Sequence, residues 1–268
     1  MLLFGLLGEK LTHSLSPEIH NAVLKSLGVK ATYSLFEVEK QNVPNVINSL
    51  KTLGITGINV TIPYKETIME YLDFISEEAK NINAVNTVFI KDGKSYGFNT
   101  DYYGFGKMLE RSQVSVEGKK VVVLGSGGAS KAVIQYLKDN KAEQVFVVSR
   151  DKAKVAGIFT GVTLIDYEEL KSLKGDIIIN TTPVGMYPNI DAMPVGEDVL
   201  ENFNTAADIV YNPLKTKFLA TAESLGLKIV TGLFMLVEQA IKSEEIWHNT
   251  VIDEKIGKEI HNELCKLF

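Results

Sequence analysis

Two runs of the chain end in residues able to move a proton. Asn59-Val60-Thr61-Ile62-Pro63-Tyr64-Lys65 reads as a strand that ends in polar residues, is stopped by a proline and delivers a lysine. The start of a helix disfavours a cation, so a merely solvated Lys65 is a mild misfit there. Gly97-Phe98-Asn99-Thr100-Asp101 ends a second run in a carboxylate, and Ala84-Val85-Asn86-Thr87 brings an amide and a hydroxyl to a strand end. A lysine beside a carboxylate can give a proton to an oxygen, or take one from it, as carbon is reduced or oxidised. A close pair of this kind titrates as a unit, so the roles of Lys65 and Asp101 are joint. Asp101 can equally cap the helix that follows it. In His13-Ser14-Leu15-Ser16-Pro17-Glu18 two hydroxyls lie two residues apart in a loop entering a helix. Both can point at one anion; Ser16 as a plain N-cap and Ser14 as a loop serine account for them equally well.

Gly125-Ser126-Gly127-Gly128-Ala129-Ser130 lies between the apolar run Val121–Leu124 and a helical pattern starting at Lys131. A glycine-rich turn in that context lets the backbone approach a pyrophosphate, and the helix N-terminus offers free N–H groups to it. Ser130 stands where glycine or alanine is usual, so the fingerprint is a variant. The next strand ends Val148-Ser149-Arg150-Asp151. An NAD enzyme usually carries an acidic residue at that strand end for the ribose 2′-hydroxyl. Arg150 suits a 2′-phosphate instead, with Lys152 and Lys154 adding positive charge and Asp151 working against it. NADP is therefore favoured and NAD remains possible.

The elements needed to place these residues alternate short β-rich runs with helical patterns, which reads as an α/β fold with largely parallel sheets. Strands are expected over 2–7, 33–38, 57–62, 84–90 and 95–98, with Asp92-Gly93 as a tight hairpin turn. A second series of strands is expected over 121–124, 144–148, 176–180 and 206–210. Helices are expected from Ser16 as N-cap, over 43–53, from Asp101 to about 110, over 131–138, and at the C-terminus over 234–248 and 253–267. Asn180-Thr181-Thr182 reads either as lining of the cofactor side or as a structural loop, and Trp247 as a packing residue. His13 and His20 lack an acidic partner at ligand spacing, and His248 and His261 lie on the last helices, so no metal is expected. The division runs 1–100 plus about 236–268 for one domain and 101–235 for the other, with a cleft between them.

With 268 residues, a formal net charge of -5 and scattered basic residues, the chain has material for two cores and no footprint for nucleic acid. The single cysteine, Cys265, excludes an internal disulfide. The N-terminal apolar run lacks a basic flank and ends at Glu9, and no apolar stretch is long enough to span a bilayer, so no membrane association is expected and the cytoplasm is.

The ordered series HSLSPxxHN, NVTIPYK, AVNT, FNTD, GSGGAS, Tyr211-Asn212-Pro213-Leu214-Lys215-Thr216 and Gly232-Leu233-Phe234-Met235 resembles the motif series of shikimate dehydrogenases, from about residue 4 to about 247. The resemblance implies a two-domain α/β enzyme: an N-terminal substrate domain and a Rossmann-type dinucleotide domain. It implies reversible NADP-dependent reduction of 3-dehydroshikimate to shikimate, in the biosynthesis of chorismate and aromatic amino acids. Ser14, Ser16 and Tyr211 would bind the substrate carboxylate; Thr61, Asn86, Asp101 and Gln239 the ring hydroxyls. Lys65 and Asp101 would flank the oxygen being converted. Ile209 and Gly232 would lie against the nicotinamide half, and Glu77 is a further carried-over cofactor position without local support. Two departures stand out: Ser149-Arg150-Asp151 replaces an Asn-Arg-Thr run, and Thr231 stands where aspartate is common. An NAD-preferring quinate/shikimate dehydrogenase is the nearest alternative, and a non-catalytic nucleotide or metabolite sensor a more distant one. The expected state is monomer or homodimer.

Overall fold

The computed structural model describes residues 1–12 and 14–268; His13, a member of the first motif, lies outside the described residues. In chain order the elements begin with β1 (Leu2–Gly8), α1 (Ser16–Ser26), β2 (Ala31–Glu37), α2 (Val43–Thr52), β3 (Gly57–Val60), β4 (Phe74–Ile75), α3 (Glu77–Ile82), β5 (Thr87–Lys91), β6 (Lys94–Phe98) and α4 (Asp101–Arg111). There follow β7 (Lys120–Leu124), α5 (Gly128–Asp139), β8 (Gln144–Val148), α6 (Lys152–Val155), β9 (Thr163–Ile165), α7 (Tyr167–Leu170), β10 (Ile177–Asn180), α8 (Glu197–Leu200), β11 (Thr205–Asp208), α9 (Lys217–Ser224) and β12 (Lys228–Val230). The chain closes with α10 (Leu233–His248) and α11 (Glu254–Leu264). It divides into two compact units, Met1–Gly104 with Val237–Glu263 and Phe105–Leu236 with Leu264–Phe268.

The first unit holds a six-stranded sheet in the order β2-β1-β3-β5-β6-β4. It is mixed rather than largely parallel. β1 runs parallel to β2 and β3, but β5 is antiparallel to both β3 and β6. The cause is local: Asp92 and Gly93 both adopt positive φ (51° and 71°), and this two-residue turn folds β6 directly back on β5. On one face Leu7, Ile58 and Val60 pack with Val43, Ile47 and Ile68. On the other, Phe4 and Leu6 meet Leu24, Tyr33 and Trp247. Trp247 anchors α10 to this sheet: its ring stacks on Phe4 at 4.7 Å and its indole N–H donates to Val88 O at 3.0 Å. Gly57 is required beneath it, since a β-carbon there would lie 2.3 Å from Trp247 Nε1.

In the second unit six strands run parallel in the order β12-β11-β10-β7-β8-β9. This is the doubly wound, Rossmann-type order, whose switch point lies between β7 and β10. Residues of β7 alternate between two cores: Val121 and Val123 face one, Val122 and Leu124 the other. All four are fully buried, as the uninterrupted apolar run requires. No helix among the described residues is long and apolar enough to cross a membrane.

Two helix starts differ from the sequence expectation. Leu15, not Ser16, is the N-cap of α1, and no side chain caps it. Ser14 Oγ accepts the Ser16 N–H at 3.2 Å instead, so the first hydroxyl closes the turn and the second sits inside the helix start. α5 begins at Gly128 rather than Lys131, so Gly128, Ala129 and Ser130 supply its first turn. Glycine and serine rank low as helix formers, but the strand-to-helix junction overrides that preference.

Candidate active site

The sites are built from strand ends in each unit. In the first, β3 ends at Val60, and the chain turns through Thr61 (Tyr64 N–H donates to Thr61 O at 2.9 Å) to deliver Lys65. Asp101 is the first residue of α4. Lys65 Nζ lies 2.6 Å from Asp101 Oδ2, with side chains only 14% and 9% exposed, so the pair is largely dry. Asp101 Oδ1 accepts from Asn86 Nδ2 at 2.9 Å. Both carboxylate oxygens are thus engaged by side chains, and the helix start is served by Asn99, whose Oδ1 accepts the Tyr102 N–H.

Asn86 is itself held. Its Oδ1 accepts the Thr100 N–H at 2.7 Å, which fixes the amide so that Nδ2 faces Asp101. Thr87 Oγ1 donates to the same Oδ1 and meets Ser243 Oγ of α10 at 2.9 Å. Ser243 also accepts from Asn59 Nδ2 at 2.8 Å and donates to the carbonyl of Gln239, one turn back on α10. Asn59 Oδ1 accepts from the Tyr33 hydroxyl at 2.8 Å. Tyr33 is in turn hydrogen-bonded to Ser16, and burial followed by the charge of Glu244 holds its phenol well above the usual tyrosine range. A buried polar chain therefore links the serine pair to the Lys65–Asp101 pair. Ser14 Oγ donates to Ser16 Oγ at 3.1 Å, so the two hydroxyls do converge. The sequence brings the Thr87 hydroxyl to a strand end but gives no binding role to Tyr33, Asn59, Thr100 or Ser243; the signal lies in Asn59, a polar residue inside the apolar strand Gly57–Val60.

His20 pairs with buried Glu244 at 2.6 Å, and Glu244 meets His248 at 3.0 Å. Burial raises the Glu244 carboxyl, but the hydrogen bonds from His20 and His248 outweigh it and hold it below the usual range. Glu77 lies at the first turn of α3, exposed and paired with Lys80 at 2.6 Å, where an acid suits the helix N-terminus.

In the second unit Gly125 follows β7 with φ +103°, and a β-carbon there would lie 2.8 Å from Thr182 Cγ2. Glycine is needed on both counts. Gly127 is the N-cap of α5 in extended conformation, without a side-chain cap, and open space surrounds the β-carbon it lacks. Ser126 is half-buried in the same turn, and Ser130 Oγ donates back to Gly127 O. The N-terminus of a twelve-residue helix thus opens beside Gly127, where no β-carbon obstructs an approach, which fits a pyrophosphate.

At the end of β8, Ser149 Oγ accepts the Asp151 N–H at 3.2 Å. Arg150 is exposed, and among the described residues it makes no hydrogen bond or ion pair. Asp151 is the N-cap of α6, accepting the Lys154 N–H and lying 3.5 Å from Lys154 Nζ. Its carboxylate is engaged by the helix start and by Lys154, which lessens its repulsion of a 2′-phosphate without removing the charge. Lys152 is drawn off toward Glu169 and Asp166, at 2.7 and 3.3 Å. Ile209 is the first residue beyond β11, at the strand end. A β-carbon on Gly232 would lie 2.5 Å from the Ile209 carbonyl, so backbone packs on backbone there. Tyr211 is half-buried in the loop before α9. Asn180 and Thr182 are linked to one another: Asn180 Oδ1 accepts the Thr182 N–H and hydroxyl at 3.0 and 2.7 Å.

Known proteins match the chain in both units. Residues 6–88 match the shikimate dehydrogenase substrate binding domain, and residues 107–184 match the shikimate/quinate 5-dehydrogenase family. A shikimate dehydrogenase (NADP(+)) of Clostridium perfringens is 54% identical over 267 residues, covering 98% of both chains. Shikimate dehydrogenase 1 from Peptoclostridium difficile superposes with a TM-score of 0.94 at 49% identity, covering 99% of this chain and 98% of that one. The Thermus thermophilus shikimate 5-dehydrogenase solved with NADP(H) and shikimate superposes at 0.88 with 33% identity, covering 98% and 99%. With both halves matched and identity above half over nearly the whole length, the chain belongs to the shikimate dehydrogenase family.

Proposed function

We propose that the chain catalyses the reversible NADP-dependent reduction of 3-dehydroshikimate to shikimate, a step toward chorismate and the aromatic amino acids. The observation that carries the reading is the dry Lys65–Asp101 pair at 2.6 Å, set among amide and hydroxyl groups at strand ends. The unit around β1 supplies most of the ring-binding residues, and the unit around β7 takes NADP and supplies Tyr211. NADPH, when bound, would supply the hydride that the ring carbonyl carbon accepts. Lys65 Nζ supplies the proton to the carbonyl oxygen, and Asp101 orients that ammonium, since both its oxygens already accept hydrogen bonds. In the oxidative direction the same pair receives the proton from the hydroxyl. Thr61, Asn86 and Gln239 with Asp101 bind ring hydroxyls, and Ser14, Ser16 and Tyr211 bind the carboxylate through neutral donors. A site with this many polar groups rejects analogues lacking a hydroxyl, because its own groups would be left unpaired.

On the cofactor side Gly125, Ser126, Gly127, Gly128, Ala129 and Ser130 hold the pyrophosphate. Arg150, with Ser149 and Lys154, receives the 2′-phosphate; Asp151 shapes this corner; Ile209 and Gly232 flank the nicotinamide. We assign Glu77 no contact beyond its pairing with Lys80. The protein works in the cytoplasm as a monomer or homodimer. The test is a spectrophotometric assay of shikimate and quinate, each with NADP and NAD. Turnover of shikimate with NADP is expected, and Lys65→Ala should abolish it. Full activity of Lys65→Ala, or no turnover by the unaltered chain, refutes the reading.

A further inference from the structure

Asp208 ends β11 with its side chain fully buried, and among the described residues it forms no ion pair. Its partners are three neutral donors. Asn180 Nδ2 and the Val210 N–H reach Oδ1 at 3.0 and 2.9 Å, and the Thr216 hydroxyl reaches Oδ2 at 2.7 Å. A charge buried among neutral dipoles is costly, so its placement calls for a reason other than stability.

The partners supply one. Val210 and Thr216 stand at the two ends of a loop that contains Tyr211, and one carboxylate holds both ends. Thr216 passes the constraint on, because its hydroxyl also caps α9 by accepting the Leu219 N–H. Asn180 ties the same carboxylate to the loop after β10, where Thr182 lies against Gly125. A second bond, Tyr187 N–H to Asn212 O at 2.9 Å, steadies the middle. We infer that Asp208 and Thr216 are positioning residues for substrate binding: the carboxylate clamps the 209–216 loop so that Tyr211 is held ready for the substrate carboxylate. The inference rests on the role proposed above for Tyr211.

The experiment is a double-mutant cycle in the full-length enzyme. Thr216→Val is isosteric and removes the Oδ2 donor. It should raise KM for shikimate about tenfold, leave KM for NADP within about twofold, and leave kcat within about threefold. Thr216→Ser, which keeps the hydroxyl, should restore KM. In a Tyr211→Phe background the same Thr216→Val change should shift KM less than about twofold, because the donor it positions is already absent. An equal rise in both backgrounds overturns the inference, as does no rise from Thr216→Val when Tyr211→Phe alone raises KM. If Tyr211→Phe leaves KM unchanged, the role proposed for Tyr211 has failed and the clamp has lost its purpose. Should Thr216→Val not fold, Asp208→Asn removes the Oδ2 acceptor and runs through the same cycle with the same expectations.

Discussion

Replacing Asp208 by asparagine should stabilise the protein at neutral pH and destabilise it in acid. Burial raises the Asp208 carboxyl from 3.8 to about 6, even though Thr216, Val210 and Asn180 donate to it. Because the folded-state value lies above the unfolded one, the native state binds more protons between roughly pH 4 and pH 6. Stability therefore falls as pH rises through that window. A shift of about two units corresponds to about 3 kcal/mol, a cost present above pH 6 and absent below pH 4. Asparagine carries no such cost. It keeps the Oδ1 acceptor for Asn180 and Val210 but cannot accept from Thr216, whose hydroxyl proton loses that partner, a loss of about 1 kcal/mol. The variant should thus be more stable than the parent by about 2 kcal/mol at pH 8 and less stable by about 1 kcal/mol at pH 4. In thermal melts across that range, these differences are about 4–8 °C upward at pH 8 and about 2–4 °C downward at pH 4. A difference of one sign and one size at all pH values would show that Asp208 ionises as freely in the fold as in water, and the reasoning would fail. The loosened loop should nonetheless weaken shikimate binding, so the stabler protein should be the poorer enzyme.

Arg150→Ala should raise KM for NADP about tenfold while leaving KM for NAD unchanged, as two-cofactor steady-state kinetics would reveal. Asp151→Asn preserves the N-cap of α6 and should change NADP binding less than about threefold; a larger gain measured by calorimetry would mean that the aspartate faces the 2′-phosphate after all. Gly125→Ala forces a side chain into a positive-φ turn against Thr182, costing about 1–3 kcal/mol of stability in denaturant melts and most of the NADP affinity. Trp247→Phe leaves Val88 O unpaired beneath α10 and should cost about 1–2 kcal/mol, read by the same melts.

What could be read from the chain alone was local in origin. The hairpin at Asp92-Gly93, the buried strand Val121–Leu124 and the glycine turn follow from residues adjacent in sequence, because turn sterics and side-chain period act over a few residues. The ordered motifs named the family for the same reason: each is a short contiguous stretch of sequence. Folding settled matters that hang on distant partners. Asp101 could have capped α4, but Lys65, 36 residues earlier, and Asn86 claim its two oxygens. Asp151 reads from the sequence only as a charge opposing a 2′-phosphate; its second role as the N-cap of α6 exists only in the fold. Ser243 reaches Asn59 across 184 residues, and no spacing rule connects the two. Sequence periodicity reports which face of an element is buried, not which polar atoms meet there. Whether a buried asparagine or carboxylate is satisfied, and by what, depends on the tertiary pairing of strand ends and α10.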